Sequence, residues 1–446
     1  MFFVLSFVFS LSALVITLKI LVGYNPEFSF KRKLVIASVA VLSWFAPTFA
    51  GMIRWFRLLP EKTGVVVSQG LYVLFVTAVF LLGILLIRDL FWMNGYKIAR
   101  KLGKASFDYD PMSPIAIKKA NIAAVAAACL LSAYSVYEGL KLPAVRETEI
   151  VTEKVDRPFT VVALTDTHIT PVTPVAKVEK LVETVNGLKP DITVLVGDIA
   201  DAKPASVERQ TEALSKLGAE HGVFVTLGNH EFYHGSVNWE SRFRQMGLSY
   251  LGGEGVNLNG ANVFVFGLPD PQLMPINCQV MDIIKGGLMT AKEGAFRILL
   301  SHSPRFVKKL NKELVDLQIS GHTHGGQIFP FHYFVKRFND FVAGLYDVDG
   351  IKLYVSRGVS GWGPPMRFLA PSEISVIRLV PPEHKKDQGN GAGFSSSSTV
   401  SATEDGVEEK LVLKTFSRMP SRSSSLALPS VSKAASVSSM DTFSCA

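Results

Sequence analysis

Apolar and polar positions divide the chain into three textures. Up to residue 140, four long apolar runs follow one another, near 2–22, 34–56, 64–87 and 119–139. Each is long enough to cross roughly 30 Å of hydrocarbon as a helix. A cleaved signal peptide would account only for the first, and no basic stretch precedes it. Four such runs back to back exclude the buried core helices of a soluble domain. Pro47 lies inside the second run, which membrane helices tolerate better than soluble ones. The pattern predicts a multi-span membrane domain over 1–140, then a linker over 141–157.

From about residue 158, apolar runs of five to eight residues alternate with polar segments of helical period. The runs are FTVVALTD (159–166), DITVLVGD (191–198), GVFVTLGN (222–229), NVFVFGLP (262–269), FRILLSHS (296–303) and LQISGHTH (317–324). They are short and rich in Val, Ile, Leu and Phe, which suits strands buried on both faces. Between the first two, Val175, Val178, Leu181, Val182 and Val185 recur at helical spacing, and Gly187 and Pro190 stop that helix. Phe306, Val307, Leu310 and Leu314 make a second such stripe. Both stripes read as packing faces. The expected fold class is an N-terminal α-helical multi-span membrane domain followed by a layered α/β domain over 158–381. Residues 382–446 are Ser-rich and aperiodic, which predicts a disordered tail.

Charge adds an orientation. The net charge of +8 comes from basic residues beside the apolar runs and in the tail, so it reads as membrane-flanking charge and not as a nucleic-acid surface. Lys31, Arg32 and Lys33 precede the second run, and Arg88, Lys97, Arg100, Lys101, Lys104, Lys118 and Lys119 separate the third from the fourth. The intervening loop has only Arg54, Arg57 and Lys62. The positive-inside rule then puts the first and third loops in the cytoplasm and the α/β domain outside it. Two features point the other way: the chain has no Asn-x-Ser/Thr sequon, and its tail carries Arg418-x-x-Ser421 and Arg422-x-x-Ser425. The three cysteines, Cys129, Cys278 and Cys445, are isolated, which excludes a disulfide framework and a cysteine-based zinc site.

The ends of the apolar runs carry the chemistry. Asp166 and His168 follow the first run, and Asp198 and Asp201 the second. Asn229, His230 and Glu231 follow the third, His302 the fifth, and His322 and His324 the sixth. Five of the nine histidines fall at these positions. Carboxyl ends of strands line the ligand crevice in open α/β sheets, and polar groups at buried strand ends need partners. The expectation is one metal-binding edge assembled from distant segments.

The ordered set D-x-H (166–168), G-D-x-x-D (197–201), G-N-H-E (228–231), a lone histidine (302) and G-H-T-H (321–324) resembles the motif set of calcineurin-like metallophosphoesterases. The resemblance covers about 158–381. GHTHGGQIFP, AGLY (343–346) and the run near 361–367 look like a membrane-associated branch of that family. The resemblance implies a four-layer β-sandwich with flanking helices and two divalent metals. One metal would be held by Asp166, His168 and His324, the other by Asn229, His302 and His322, with Asp198 bridging. Mixed oxygen and nitrogen donors suit Mn, Fe or Zn. Such a pair activates a bridging hydroxide against a phosphoester. His230 would act as general acid or donate a hydrogen bond to developing charge, with Asp201 orienting its ring and favouring its protonated form; Glu231 reads as structural. Asp201 is followed by Ala202 and Lys203, where the protein phosphatases of the superfamily have Arg-Gly. That departure favours a phosphodiester or lipid-linked phosphoester as substrate, and a non-catalytic phosphate- or partner-binding membrane protein is the alternative. Arg357 and Arg367 read as surface ion pairs, with contact to substrate phosphate as the alternative. The aromatic segment 328–338 reads as a flap packed on its own domain, with an interfacial segment dipping toward lipid as the alternative.

Overall fold

The computed structural model describes residues 2–103, 113–270 and 278–382. The Ser-rich tail prediction lies outside the described residues. The N-terminal part is helical: α1 (Phe2–Leu18), α2 (Phe30–Trp55), α3 (Glu61–Ile87), α4 (Asn94–Lys101) and α5 (Pro114–Leu140). Three helices, Phe30–Trp55, Glu61–Lys101 and Pro114–Leu140, are long and apolar enough to cross a membrane. The first apolar run forms α1 and continues through a wider π-helical turn, Lys19–Gly23. Ser29 and Ser113 cap α2 and α5 by accepting from Arg32 N and Ala116 N, which satisfies donors that a helix start leaves free. Trp44 of α2 is fully buried between α1 and α3, edge-on to Phe9 and Phe75.

The C-terminal part contains β1 (Ala144–Val151), β2 (Phe159–Leu164), α6 (Val175–Gly187), β3 (Ile192–Val196), α7 (Glu208–Glu212), β4 (Val223–Thr226), α8 (Asn229–His234), α9 (Ser236–Gln245), β5 (Ser249–Tyr250), β6 (Glu254–Asn257), β7 (Val263–Leu268), α10 (Cys278–Leu288), β8 (Phe296–Ser301), β9 (Leu317–Ser320), α11 (His332–Asn339), β10 (Gly344–Val348), β11 (Ile351–Val355) and β12 (Glu373–Val380). They make two six-stranded sheets, ordered β1-β12-β2-β3-β4-β5 and β10-β11-β9-β8-β7-β6. The centre of each is parallel: β2, β3 and β4 in one; β7, β8, β9 and β11 in the other. Each of the six apolar runs holds one of these strands.

Burial shows what the alternating texture achieves. Val161, Ala163, Val194 and Ile377 of the first sheet share one apolar cluster with Val265, Ile298, Leu300 and Ile319 of the second. The opposite face of the first sheet packs on Val178, Leu181, Val182 and Val185 of α6, the predicted stripe. Removing such side chains from water contributes roughly 1.5–3 kcal/mol each. The second stripe is shorter than a regular helix: Pro304–Lys309 forms a 3-10 turn that buries Phe306 and Val307 against the second sheet.

One boundary differs from expectation. Residues 144–151, inside the stretch read as a linker, form a strand pairing in parallel with β12 from Ala144↔Glu373 to Val151↔Val380. β1 sits at a sheet edge with most side chains exposed, so it carries no apolar run to reveal it. The two parts of the chain also touch closely. A Cβ on Gly139 of α5 would lie 2.6 Å from the Pro365 carbonyl oxygen. Arg367 N donates to Ser135 O of α5 at 2.8 Å, and Ser206 Oγ meets Glu61 Oε2 of α3 at 2.8 Å. Ile328, Phe331, Met366 and Phe368 pack with Val76, Phe80 and Ala128 of α3 and α5. Part of the segment after GHTHGG, Ile328 and Phe331, therefore packs on the helical bundle as well as on Met366 and Phe368 of its own domain.

Candidate metal centre

Every sequence-predicted ligand lies just beyond a strand. Asp166 and His168 follow β2, Asp198 follows β3 and Asn229 opens α8 after β4, all from the first sheet; His302 follows β8 and His322 and His324 follow β9, from the second. The sheets deliver these residues to one place. Asp166, His168 and His324 place donor atoms within 4.8 Å of one another, as do Asp198, His302 and His322. Asn229 Oδ1 joins the second group, 3.0 Å from His322 Nδ1. Asp198 spans the two groups: its Oδ2 lies 3.1 Å from His302 Nε2 and 3.9 Å from His168 Nε2. Its other oxygen accepts from His230 N at 2.9 Å.

The backbone is bent to bring these side chains inward. Asp166, His168, Asp198, His322 and His324 all have positive φ, from 42° to 70°. Non-glycine residues adopt that region rarely and at a cost. The neighbouring glycines make the room: a Cβ on Gly228 would collide with Asp198 Oδ1, and one on Gly321 with Asp166 Oδ2.

Hydrogen bonds assign the imidazole protons. His302 Nδ1 donates to Val196 O at 2.9 Å, His324 Nδ1 to Ser360 O at 3.3 Å, and His168 Nδ1 to Asp201 Oδ1 at 2.8 Å. Carbonyl and carboxylate oxygens only accept, so each Nε2 of a neutral ring keeps its lone pair and turns it inward. His168 Nε2 and His324 Nε2 face each other at 3.2 Å, a distance that two lone pairs hold only with a proton or a cation between them. His302 Nε2 is buried without a well-formed hydrogen bond. Histidine metal ligands are oriented in this way by the partner of the other ring nitrogen. The donor set fits divalent cations.

The field at the centre is negative. Burial disfavours a charged His168 ring, yet Asp201, Asp198 and Asp166 overcome this and raise it to about 9. His302 is likewise raised against burial, chiefly by Asp198. His324 is different: burial pushes it down to about 3. Asp201 is held well below the usual carboxylate range, against burial, by His168 and His230. Its Oδ1 lies 2.5 Å from His230 Nδ1 and 2.8 Å from His168 Nδ1, so it holds a metal-type histidine as well as the expected one. Glu231 is structural, as anticipated: its carboxylate accepts from the backbone N–H groups of Asp198, Ile199, Ala200 and Gly228. Burial and Asp198 raise it to about 7.

Three features were not legible. Asp270 follows β7 and is fully buried, and its charge acts on His302 and His322; its place after the fourth run was the available signal. The exposed rings of Tyr233 and Trp362 flank His230 at 5.5 and 6.0 Å between centroids. Arg367 corrects the surface ion-pair reading. It is completely buried and donates to the carbonyls of His324, Ala370, Arg357, Gly358 and Ser360. Arg357 does make an ion pair, 2.9 Å from Glu373 Oε2, but that carboxylate is buried.

Two sheets converging on a cluster of Asp, Asn and His donors at strand ends define a metal-dependent class of protein. Residues 159–326 match the calcineurin-like phosphoesterase family. An uncharacterized metallophosphoesterase of Aquifex aeolicus is 32% identical over 262 residues, covering 56% of this chain and 97% of that protein. One of Helicobacter pylori is 38% identical over 247 residues, covering 55% and 66%. The transmembrane protein with metallophosphoesterase domain of Bos taurus is 30% identical over 303 residues, covering 63% and 67%. The chain belongs to the calcineurin-like metallophosphoesterases. It spans 66% of the length of the Helicobacter pylori relative and 65% of that from Campylobacter jejuni.

Proposed function

We propose that this chain is a membrane-anchored, dinuclear metal-dependent phosphoesterase. The observation that carries the reading is the convergence of the Nε2 atoms of His168, His302 and His324 on the carboxylates of Asp166 and Asp198. Asp166, His168 and His324 would hold one cation, Asn229, His302 and His322 the other, and Asp198 both. Divalent Mn, Fe or Zn there would supply Lewis-acid activation of water and of the phosphoryl oxygens. His230 lies at the rim of this cluster and donates a proton to the leaving oxygen, and Asp201 holds its ring from Nδ1. No side-chain nucleophile is required. The phosphoesterase domain runs from β1 to β12 in a four-layer arrangement, and α1 joins α2, α3 and α5 as a fourth span. The basic loops favour a phosphoesterase domain outside the cytoplasm.

The substrate we favour is a phosphodiester or a lipid-linked phosphoester. Support comes from the exposed rings of Tyr233 and Trp362 beside His230, and from the α3 and α5 contacts of segment 328–331. The test uses the full-length protein in detergent, loaded with Mn and assayed on a phosphodiester and a phosphomonoester. Asp198→Asn should lose at least about 1,000-fold in kcat and His230→Ala roughly 100-fold or more. Full activity of Asp198→Asn would refute the dinuclear reading. Inactivity of the wild type with every metal would favour a non-catalytic phosphate-binding role.

A further inference from the structure

The helical bundle contains a second feature that the phosphoesterase chemistry does not use. A cavity of about 590 Å³ opens between the first turns of α2 and α5. Lys31, Arg32, Val35 and Ile36 line it from α2, Lys118, Asn121, Ile122 and Val125 from α5, and Leu21 and Phe28 from the segment between α1 and α2. On each helix these positions share one face.

The cavity wall is apolar, formed in part by the carbon stems of three exposed basic residues. Lys31 and Arg32 stand in the first turn of α2, with Val35 and Ile36 one turn deeper; Lys118 stands early in α5, with Ile122 and Val125 deeper. Among the lining residues there are three cations and no carboxylate. Asn121 is buried at the floor and accepts a hydrogen bond from Arg88, whose charge is offset by Asp89 at 2.6 Å. The cavity lies at the far end of the bundle from the metal centre. Lys118 is separated along α5 from Ser135, which bonds Arg367, by about 26 Å of helix.

We propose that this groove is a binding site for an anionic phospholipid, with its phosphate on Lys31, Arg32 and Lys118 and one acyl chain along Val35, Ile36, Ile122 and Val125. Charge complementarity selects the occupant: a phosphate needs the cations, and the apolar depth needs a chain that soluble phosphates lack. A basic pocket between spans suits an acidic lipid headgroup. The inference rests on these helices lying in a bilayer, and not on any hydrolytic activity.

The test is native mass spectrometry and thermal unfolding of the full-length protein in detergent, titrated with phosphatidylglycerol, phosphatidylcholine or inorganic phosphate. Phosphatidylglycerol should be retained and should raise Tm, while phosphatidylcholine and phosphate should do so far less. Replacing Lys31, Arg32 and Lys118 together by Gln should reduce the preference on the order of 100-fold, at about fivefold per charge. Lys31→Arg with Lys118→Arg should retain it, which separates loss of charge from loss of fold. Ile122→Trp, which fills the groove, should remove retention with the cations intact. Equal retention of both lipids, or selectivity that survives the Gln variant, would overturn the proposal. A protein that stays soluble without detergent would overturn it too, by removing the bilayer, whereas loss of phosphoesterase activity alone would leave it standing.

Discussion

Arg367 is a full positive charge with no surface exposed to solvent. Burial lowers its pKa to about 10, still far above neutrality, so it stays charged. Carbonyl oxygens provide its solvation instead, including that of His324. The guanidinium reaches several directions in one plane, which an ammonium on a flexible stem does not. Arg367→Lys should therefore leave carbonyls unpaired and destabilise the domain by roughly 2–4 kcal/mol. The same variant should bind metal more weakly, measured by bound Mn after gel filtration; unchanged metal content and Tm would contradict this role. That these candidate donors would gather in one place was legible in the sequence, because Asp, Asn and His at the ends of short apolar runs are anomalous at buried positions. Arg367 was not, because nothing local distinguishes a buried arginine from an exposed one. Only the fold brings Arg357, Gly358 and Ser360 around it.

At the scale of elements, burial accounts for the six strands that were read, although the equally buried β11 and β12 were not among the runs. β2, β3, β4, β7, β8 and β9 are buried on both faces, or nearly so, and each wrote an apolar run into the chain. β1 and β10 lie at sheet edges, β1 largely exposed and β10 half-buried, so neither wrote a long apolar run into the chain. The aromatic segment divides in a way that composition alone did not reveal. Phe331 faces α3 and α5, while Tyr333, Phe334 and Phe338 of α11 are 62–64% exposed. Lys336 and Arg337 lie on the same short helix. These exposed rings suit contact with a bilayer surface. Phe334→Ser with Phe338→Ser should reduce hydrolysis of a substrate held in vesicles by roughly tenfold or more, with soluble substrate unaffected. Equal loss on both substrates would assign the rings to folding.

For the whole molecule, cations would bind the folded state and tie the two sheets together, since their ligands come from β2, β3 and β4 on one side and β8 and β9 on the other. Chelation should therefore unfold the phosphoesterase domain at a lower temperature. A metal present at 100 times its Kd stabilises by about 2.7 kcal/mol, or roughly 5–10 °C for a domain of this size. Calorimetry with EDTA and after re-addition of Mn checks it, and an unchanged transition would deny the bridge between sheets.

Only three residues, Lys141 to Pro143, separate the end of α5 from the start of β1. Fully extended, they reach about 10 Å, and the contacts of Gly139 and Ser135 with segment 365–367 take up even that slack. With α5 embedded in a bilayer, the candidate metal centre would not swing on a leash. Under the proposed function it would be set at one height above the lipid, and would choose among phosphoesters by their altitude as much as by their chemistry.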